Sequence, residues 1–418
     1  MKAMQRLRAF FKSERGNVLA MGAAAMPMLL ASAGFAVDTI QLTVMKRQMQ
    51  RAADSSAIAG AYALTQAPSG ANDAATAASE KQYAEAAVTR DIAKNKTPTL
   101  LGIPAVATGP ISGYQRTVQV SLTATPRLPF MAIFTKANTK VTATATAALV
   151  DGGRFCMLAL FDGRNQPGIE ATGNAELDLG CGMATNARGT PAIDPGGSAG
   201  ITASPVMAPG GLSSSTRYAT GTKLQPYSAE QKDPFAHLNV PSSGTSTCPA
   251  LDVNKNNSPV TIAGGCYSSI TVQNGTLNAS GQVVVQGGDI KFLSNANVQG
   301  SGVTFFLTGG IYDAASNATV NISAPTAGTY KDLLLFRDRN APQVTIKLNG
   351  GTGSTYSGAL YFPTTDLDIN GNAGFTTTCF QLVARRLIFS GSTNIRNNCN
   401  SPTGGGGLFS LQYVRLVR

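Results

Sequence analysis

Six cysteines are the residues of this chain best placed to make covalent bonds: Cys156, Cys181, Cys248, Cys266, Cys379 and Cys399. None forms a C-x-x-C pair, and the single histidine, His237, cannot complete a Cys2His2 zinc site. An even number of cysteines in an exported chain reads as disulfides. Six cysteines allow fifteen connectivities. Neighbour pairing, Cys156–Cys181, Cys248–Cys266 and Cys379–Cys399, is the expected one, with free thiols as the alternative. The last pair encloses about one coil of a proposed solenoid, expected at its fraying end, where a loop-closing bond would contribute about 3 kcal/mol.

The acidic residues offer less. Asp366 and Asp368, in an Asp-Leu-Asp run, would share one face of a strand, and Arg385 and Arg386 could add positive charge nearby. Polysaccharide lyases and glycosidases need paired carboxylates, or a base with cationic helpers. With 22 acidic residues and one histidine in 418 positions, convergent pairs are few. The two aspartates therefore read as solvent-facing acids on a strand. Asp313, Asp332 and Asp338 could bind calcium only if folding brought them together, and no calcium loop is present. Gly404–Gly407 lacks the Lys-Ser/Thr of a phosphate-binding loop and reads as a flexible turn. The expectation is a chain with no catalytic site, no metal and no cofactor.

The element that positions everything else is Gly16–Val37, which carries no charge between Arg15 and Asp38. Its 22 residues suffice to cross a hydrocarbon core of roughly 30 Å at about 1.5 Å per residue. Pro27 lies in its middle and is expected to kink a helix that a bilayer tolerates. Residues 1–15 hold five basic residues and one acidic, which predicts a cytoplasmic N-terminus and an exported body. A cleaved secretory signal is the rival reading, because Ala31-Ser32-Ala33 has the small-x-small pattern. A buried soluble helix is the third.

Residues 38–150 are expected to form a helical stalk and a small α+β domain. Leu42, Met45, Met49, Ala52, Ser56, Ala59 and Ala63 recur three and four apart, one stripe on a continuing helix. The stripe is either a seam for a partner helix or the face that packs on the chain's own next domain. Pro68-Ser69-Gly70 breaks this helix. Asn72 or Asp73 could cap a second, running to Lys94. Thr117–Thr125 and Val141–Leu149 alternate as half-buried strands, with one short helix between them.

From Gly152 the composition shifts to short apolar runs between turns of Gly, Asn and Ser. Asn186–Cys248 is rich in Pro, Gly and Ser and reads as a loop-rich insertion (186–248). A loose repeat surrounds it: Asn295 and Asn317 lie 22 residues apart, as do Asn372 and Asn394. Runs such as Val283–Val285, Val303–Leu307, Leu333–Phe336, Gly358–Phe362 and Leu387–Phe389 lie between these turns. Several short strands in each such period predict that 151–418 is a mainly-β domain, a parallel β-helix or solenoid. An antiparallel sandwich is the alternative. The net charge of +11 forms no long basic run in the body, which argues against nucleic-acid binding. Charged residues are only 13% while Gly numbers 45, in keeping with tight turns.

The N-terminal stretch as far as Thr65 resembles the TadG-like family of the Flp (tight adherence) pilus-assembly system. The resemblance rests on Arg15-Gly16-Asn17, the apolar run, Gly34-Phe35-Ala36-Val37-Asp38, and Lys46–Ala61, KRQMQRAADSSAIAGA. Asp233-Pro234-Phe235 and Gly358–Pro363 resemble longer members. The resemblance implies an inner-membrane anchor, a periplasmic body, and other pilus-assembly or secretion proteins as partners. It leaves the oligomeric state open. Pilin-type processing would want a Glu five residues after Gly16, where Met21 stands, so no cleavage after Gly16 is expected.

Two functions are weighed. One is a non-catalytic structural or interaction protein of pilus assembly. The other is a membrane-tethered, carbohydrate-binding or carbohydrate-acting β-helix. The absence of Trp, a preferred sugar-stacking residue, leans against the second.

Overall fold

The computed structural model describes residues 14–67, 74–95, 97–134, 139–214, 216–242, 247–349, 353–370, 374–377, 380–397 and 409–417. The chain divides into two units, Met1–Val150 with Val414–Arg418, and Asp151–Tyr413.

In the first unit, helix α1 (Glu14–Leu64) runs unbroken through Pro27. It is long and apolar enough to cross a membrane. Residues 21–30 are exposed throughout, whereas Met49, Ala52, Ala53, Ala57, Ala61 and Leu64 are buried. Helix α2 (Ala74–Lys94) packs beside the buried half. Strands β1 (Ala105–Ile111), β2 (Tyr114–Ala124) and the first part of β3 (Val141–Ala159) form an antiparallel sheet. Alternation sends Val118, Val120 and Leu122 of β2, and Ala143, Ala145 and Ala147 of β3, into the same core as α1. The small alanines let the helix approach closely; a Cβ on Gly60 would lie 2.8 Å from Val118. Ser55 and Ser56 of α1 donate to the Asp91 carboxylate of α2 at 3.2 and 3.0 Å. Arg116 donates to the Leu64 carbonyl, filling an acceptor left open at the end of α1. Strand β1 escapes sequence reading because Gly109-Pro110 interrupts its alternation.

The second unit is a β-solenoid of about ten coils with parallel strands. Gly281 pairs with Val303, and Ile290 with Tyr312, each 22 residues further on. Turns close on asparagines that tolerate the left-handed conformation: Asn274 (φ 52°) and Asn295 (φ 54°) stack, with an amide hydrogen bond of 3.0 Å between them.

The coils are not stacked in sequence order. Along one face the paired strands run Val260–Tyr267, Thr276–Val285, Asn297–Leu307, Leu333–Arg337, Thr355–Asn370 and Phe380–Ser390. The next neighbour of Phe380–Ser390 is the last part of β3, with Leu382 opposite Met157. Gly182–Thr185, Val206–Ala208 and Leu224–Pro226 follow. The chain thus enters the stack in its middle, winds outward to one end, crosses to the other end, and winds back to meet its own beginning. About nine strand spacings separate the ends, roughly 43 Å at about 4.8 Å each. The 227–249 connector can reach roughly 75 Å when extended, so it has length to spare.

Residues 227–242 of that connector lie along the face as a strap and explain the unbroken apolar runs. Inward residues such as Val283, Val285, Phe305, Leu307, Leu335, Leu360 and Leu382 fill the solenoid interior. Their outward neighbours Val284, Phe306, Phe336, Tyr361 and Val383 form a second core with Phe235, Leu238 and Val240 of the strap. A strand buried on both faces has no polar side to alternate with.

Two buried hydroxyls sit in the apolar interior. Tyr312 and Tyr356 share a hydrogen bond of 2.9 Å beside a cavity of about 20 Å³. Burial pushes Tyr312 well above the usual phenol value and Tyr356 up to about 12. A raised folded-state value gives stability fully present below pH 10, the unfolded value, and lost as pH rises through about 12. The Tyr312→Phe/Tyr356→Phe double variant is therefore expected to hold its tertiary signal to higher pH than the parent. An alkaline unfolding curve identical to the parent's would show that these phenols do not titrate on unfolding.

Two expectations are corrected. Residues 186–248 are not one loop-rich insertion: Ile193–Pro195, Gly200–Thr202 and Val206–Ala208 are coil strands in parallel register. Three-residue strands, with Ala192, Ala199 and Ala203 buried, show no apolar run that sequence could flag. The coil containing residues 380–397 is also not terminal. Phe380–Ser390 and Asn394–Asn397 are paired on both sides, the latter with Gly374–Thr377 and Glu176–Asp178. Cys379 and Cys399 lie outside the described residues.

Candidate functional site

Cys156 is bonded to Cys181, and Cys248 to Cys266, with Cα–Cα distances of 5.9 and 5.0 Å. Adjacent coils place such positions within bonding range. The first bond joins two consecutive coils, and the second fastens the far end of the 227–249 connector to the strand Val260–Tyr267.

The Asp-Leu-Asp run does not form a free carboxylate pair. Asp366 is ion-paired with Arg385, and Arg386 Nη1 lies 3.6 Å from the same oxygen. Arg386 also donates to the Pro167 carbonyl at 2.8 Å and reaches Glu170 at 3.3 Å. Arg385 lies over the Phe161 ring, 5.5 Å from its centroid. Asp368 accepts from the Ser390 hydroxyl at 3.2 Å. The cluster straddles the joint where Leu387 pairs with Ile169. Its ion pairs span the joint that closes the solenoid.

Among the described residues, no group of three or more His, Cys, Asp or Glu side chains could hold a metal ion. His237 is exposed on the strap. A groove of about 490 Å³ over the returning coils is lined by Asn278, Ser280, Gln299, Ser301 and Asn321, with neither acid nor aromatic in its wall.

The stripe on α1 divides. Leu42 and Met45 are half-buried, Met49 and Ala52 are buried in the unit's own core, and Ala59 is half-buried. The small end of the stripe is thus occupied within the chain. Further up, Gly34 and Asp38 are the only buried positions of residues 21–48. Asp38 accepts the Met131 N–H at 2.6 Å, at the start of the short helix α3 (Met131–Phe134). The Phe130 ring lies so close to Gly34 that a Cβ there would be 2.4 Å from it.

The strap is latched by residues that sequence reasoning did not assign a role. Tyr361 donates to Asp233 at 2.6 Å and meets Phe235 edge-on at 5.4 Å. Burial, reinforced by the Asp233 carboxylate, raises the Tyr361 phenol far above its ordinary value. Arg339 donates to the carbonyls of Phe235, Ala236 and Leu238. Asn186 and Gln231 exchange two hydrogen bonds, of 2.9 and 2.7 Å. The Asp-Pro-Phe and Gly-Ala-Leu-Tyr-Phe-Pro stretches therefore form the two sides of one latch.

Residues 16–63 match the family model described as "Putative Flp pilus-assembly TadE/G-like". This segment is TadE/G-like. The comparisons with curated proteins and with solved structures return no match. The TadE/G-like match covers nearly all of α1 and stops at its last turn. It thus includes the bare apolar half, the Gly34/Asp38 seat and the buried alanine stripe, and none of the solenoid.

Proposed function

We propose that this chain is an inner-membrane-anchored, non-catalytic structural protein of Flp/Tad pilus assembly or anchoring, with its solenoid in the periplasm. The observation that carries the reading is the TadE/G-like helix. One half is apolar and uncovered by the chain, and the other half is built into a folded unit. The basic residues 1–15 orient such a helix with its N-terminus in the cytoplasm. Two disulfides suit an oxidising compartment on the opposite side. The ion pairing of Asp366, the best candidate for a catalytic carboxylate, supports the non-catalytic reading.

A phosphatase reporter fused after Leu149 is expected to be active, and the membrane-extracted protein is expected to retain pilus-secretion components after cross-linking. A silent reporter would overturn the topology. An active reporter with no pilus component recovered would overturn the assembly role. A groove lined by acids and aromatics would favour a carbohydrate-binding body, and the groove around Asn278 and Gln299, with neither, counts against it. Retention of polysaccharide by the parent, lost in Asn278→Leu/Gln299→Leu, would decide for it.

A further inference from the structure

We propose that the loop Leu128–Ile133 is a second membrane contact, a lip that lies in the lipid interface beside the anchor helix on the side of the body. The proposal rests on the reading of α1 as a membrane span. The loop reads Leu-Pro-Phe-Met-Ala-Ile, six residues without a charge, following the exposed Arg127. Ile133 is 74% exposed and Phe130 39%, although nothing in the sequence of a water-facing turn requires them to be apolar. An isolated exposed apolar residue needs no explanation, but two on one uncharged loop form a patch.

The position of the patch supplies its occupant. The lip is seated against Gly34 and Asp38, and the charge-free run of α1 ends at Asp38. The exposed Phe130 and Ile133 therefore lie at the level where the span leaves the hydrocarbon, the same stretch of helix that exposes Phe35, Val37 and Ile40. Asp38 itself would be costly at that depth. It is fully buried, and one of its oxygens caps the amide of Met131, so the lip shields the carboxylate from lipid. Hydroxyls on the same stretch are satisfied internally, as a low-dielectric surrounding demands: Ser32, Thr39 and Thr43 donate to Leu29, Phe35 and Thr39 carbonyls. Arg127 at the head of the loop would then reach phosphate headgroups while its stem covers apolar surface. The Gly34 and Asp38 positions thereby gain a specific task. Gly34 leaves room for the Phe130 ring, and Asp38 ties down the backbone behind it.

The test uses the full chain in phospholipid vesicles, with a polarity-sensitive fluorophore on a single introduced cysteine, Ile133→Cys. Leu29→Cys on the anchor and Gln82→Cys on exposed α2 serve as references. The expected result is a blue-shifted Ile133→Cys probe, quenched by lipids spin-labelled near the headgroup and several-fold less quenched by aqueous iodide than Gln82→Cys. Adding Gly34→Leu, which displaces Phe130, should restore iodide quenching at Ile133→Cys. If Leu29→Cys is quenched by labels at the bilayer centre while Ile133→Cys behaves like Gln82→Cys, the anchor stands and the lip is refuted. Shielding of Ile133→Cys from iodide without lipid quenching would assign the patch to a protein contact and also refute it. If Leu29→Cys is itself open to iodide, the anchor reading falls and the lip with it.

Discussion

Arg337→Ala is expected to destabilise the solenoid by about 3–5 kcal/mol, the range for removing one member of a buried charged network. Arg337 closes the strand Leu333–Arg337 and is fully buried, with no ion-paired carboxylate among the described residues. Its guanidinium donates to the carbonyls of Gly310, Gly309 and Pro342 at 3.0, 3.0 and 2.9 Å, and to the hydroxyl of Thr364 at 2.5 Å. The Gly309-Gly310 turn, the turn at Pro342 and Thr364 of the strand Thr355–Asn370 thus converge on one side chain. Burial lowers its pKa from the ordinary arginine value, with Asp338 opposing the shift, and a guanidinium still stays charged at neutral pH. Truncation leaves the buried Gly310 carbonyl and the part-buried carbonyls of Gly309 and Pro342 without this donor. Arg337→Lys keeps the charge but offers one point in place of a planar fork, so it should recover only part of the loss. The chain has no Trp, so near-ultraviolet tyrosine dichroism during urea unfolding is the convenient measure. Midpoints equal to the parent's in both variants would show that this arginine does not hold the corner.

Arg386→Ala is expected to cost about 3 kcal/mol, within the range for breaking a buried ion pair. Its side chain is 9% exposed and spans Glu170, Asp366 and Pro167. The distinctive consequence is spatial. Arg386 lies where the end of the solenoid's sequence pairs with its beginning, so hydrogen exchange should quicken together at Met157–Ala159 and Leu382–Ala384. Those segments stand near opposite ends of the second unit's sequence, yet Leu382 faces Met157. A solenoid wound in sequence order would place residues 157–159 in an end coil, remote from Arg386. Loss of protection confined to residues near 386 would refute the spliced order.

The solenoid was legible in sequence through its turns more than its strands. Asparagines at a regular spacing signalled the coil period, and Asn295 sits at a corner in the left-handed conformation stacked on Asn274. The apolar runs could not be assigned to one face, since alternation disappears when the strap covers the outer side. The Gly- and Pro-rich coils between 186 and 208 were missed for the opposite reason. Their strands are three residues long, each giving the core one large apolar residue (Ile193, Ile201 or Val206) beside flanking alanines, too little for a period to emerge. The carboxylate site was half legible. Asp366 and the two arginines were singled out together, but Glu170, which belongs to a coil at the far end of the unit's sequence, was not.

Local physics is what the sequence by itself determined. The charge-free run and its basic flank define a helix able to span a membrane. The three-four stripe predicts that the helix continues, and evenly spaced turn asparagines predict coils. Each depends on residues within a few turns or one repeat of one another. Tertiary structure alone decided which coil lies on which, because equivalent parallel edges accept any coil with matching register. It decided that the chain enters the stack in its middle, that Asp-Pro-Phe latches onto Tyr361, and that Arg386 joins the two ends of the winding. It also decided that Asp38 is covered by Met131, through a hydrogen bond between residues far apart in the chain. Contacts at such separations leave no periodic trace in a single sequence, so only the folded chain reveals them.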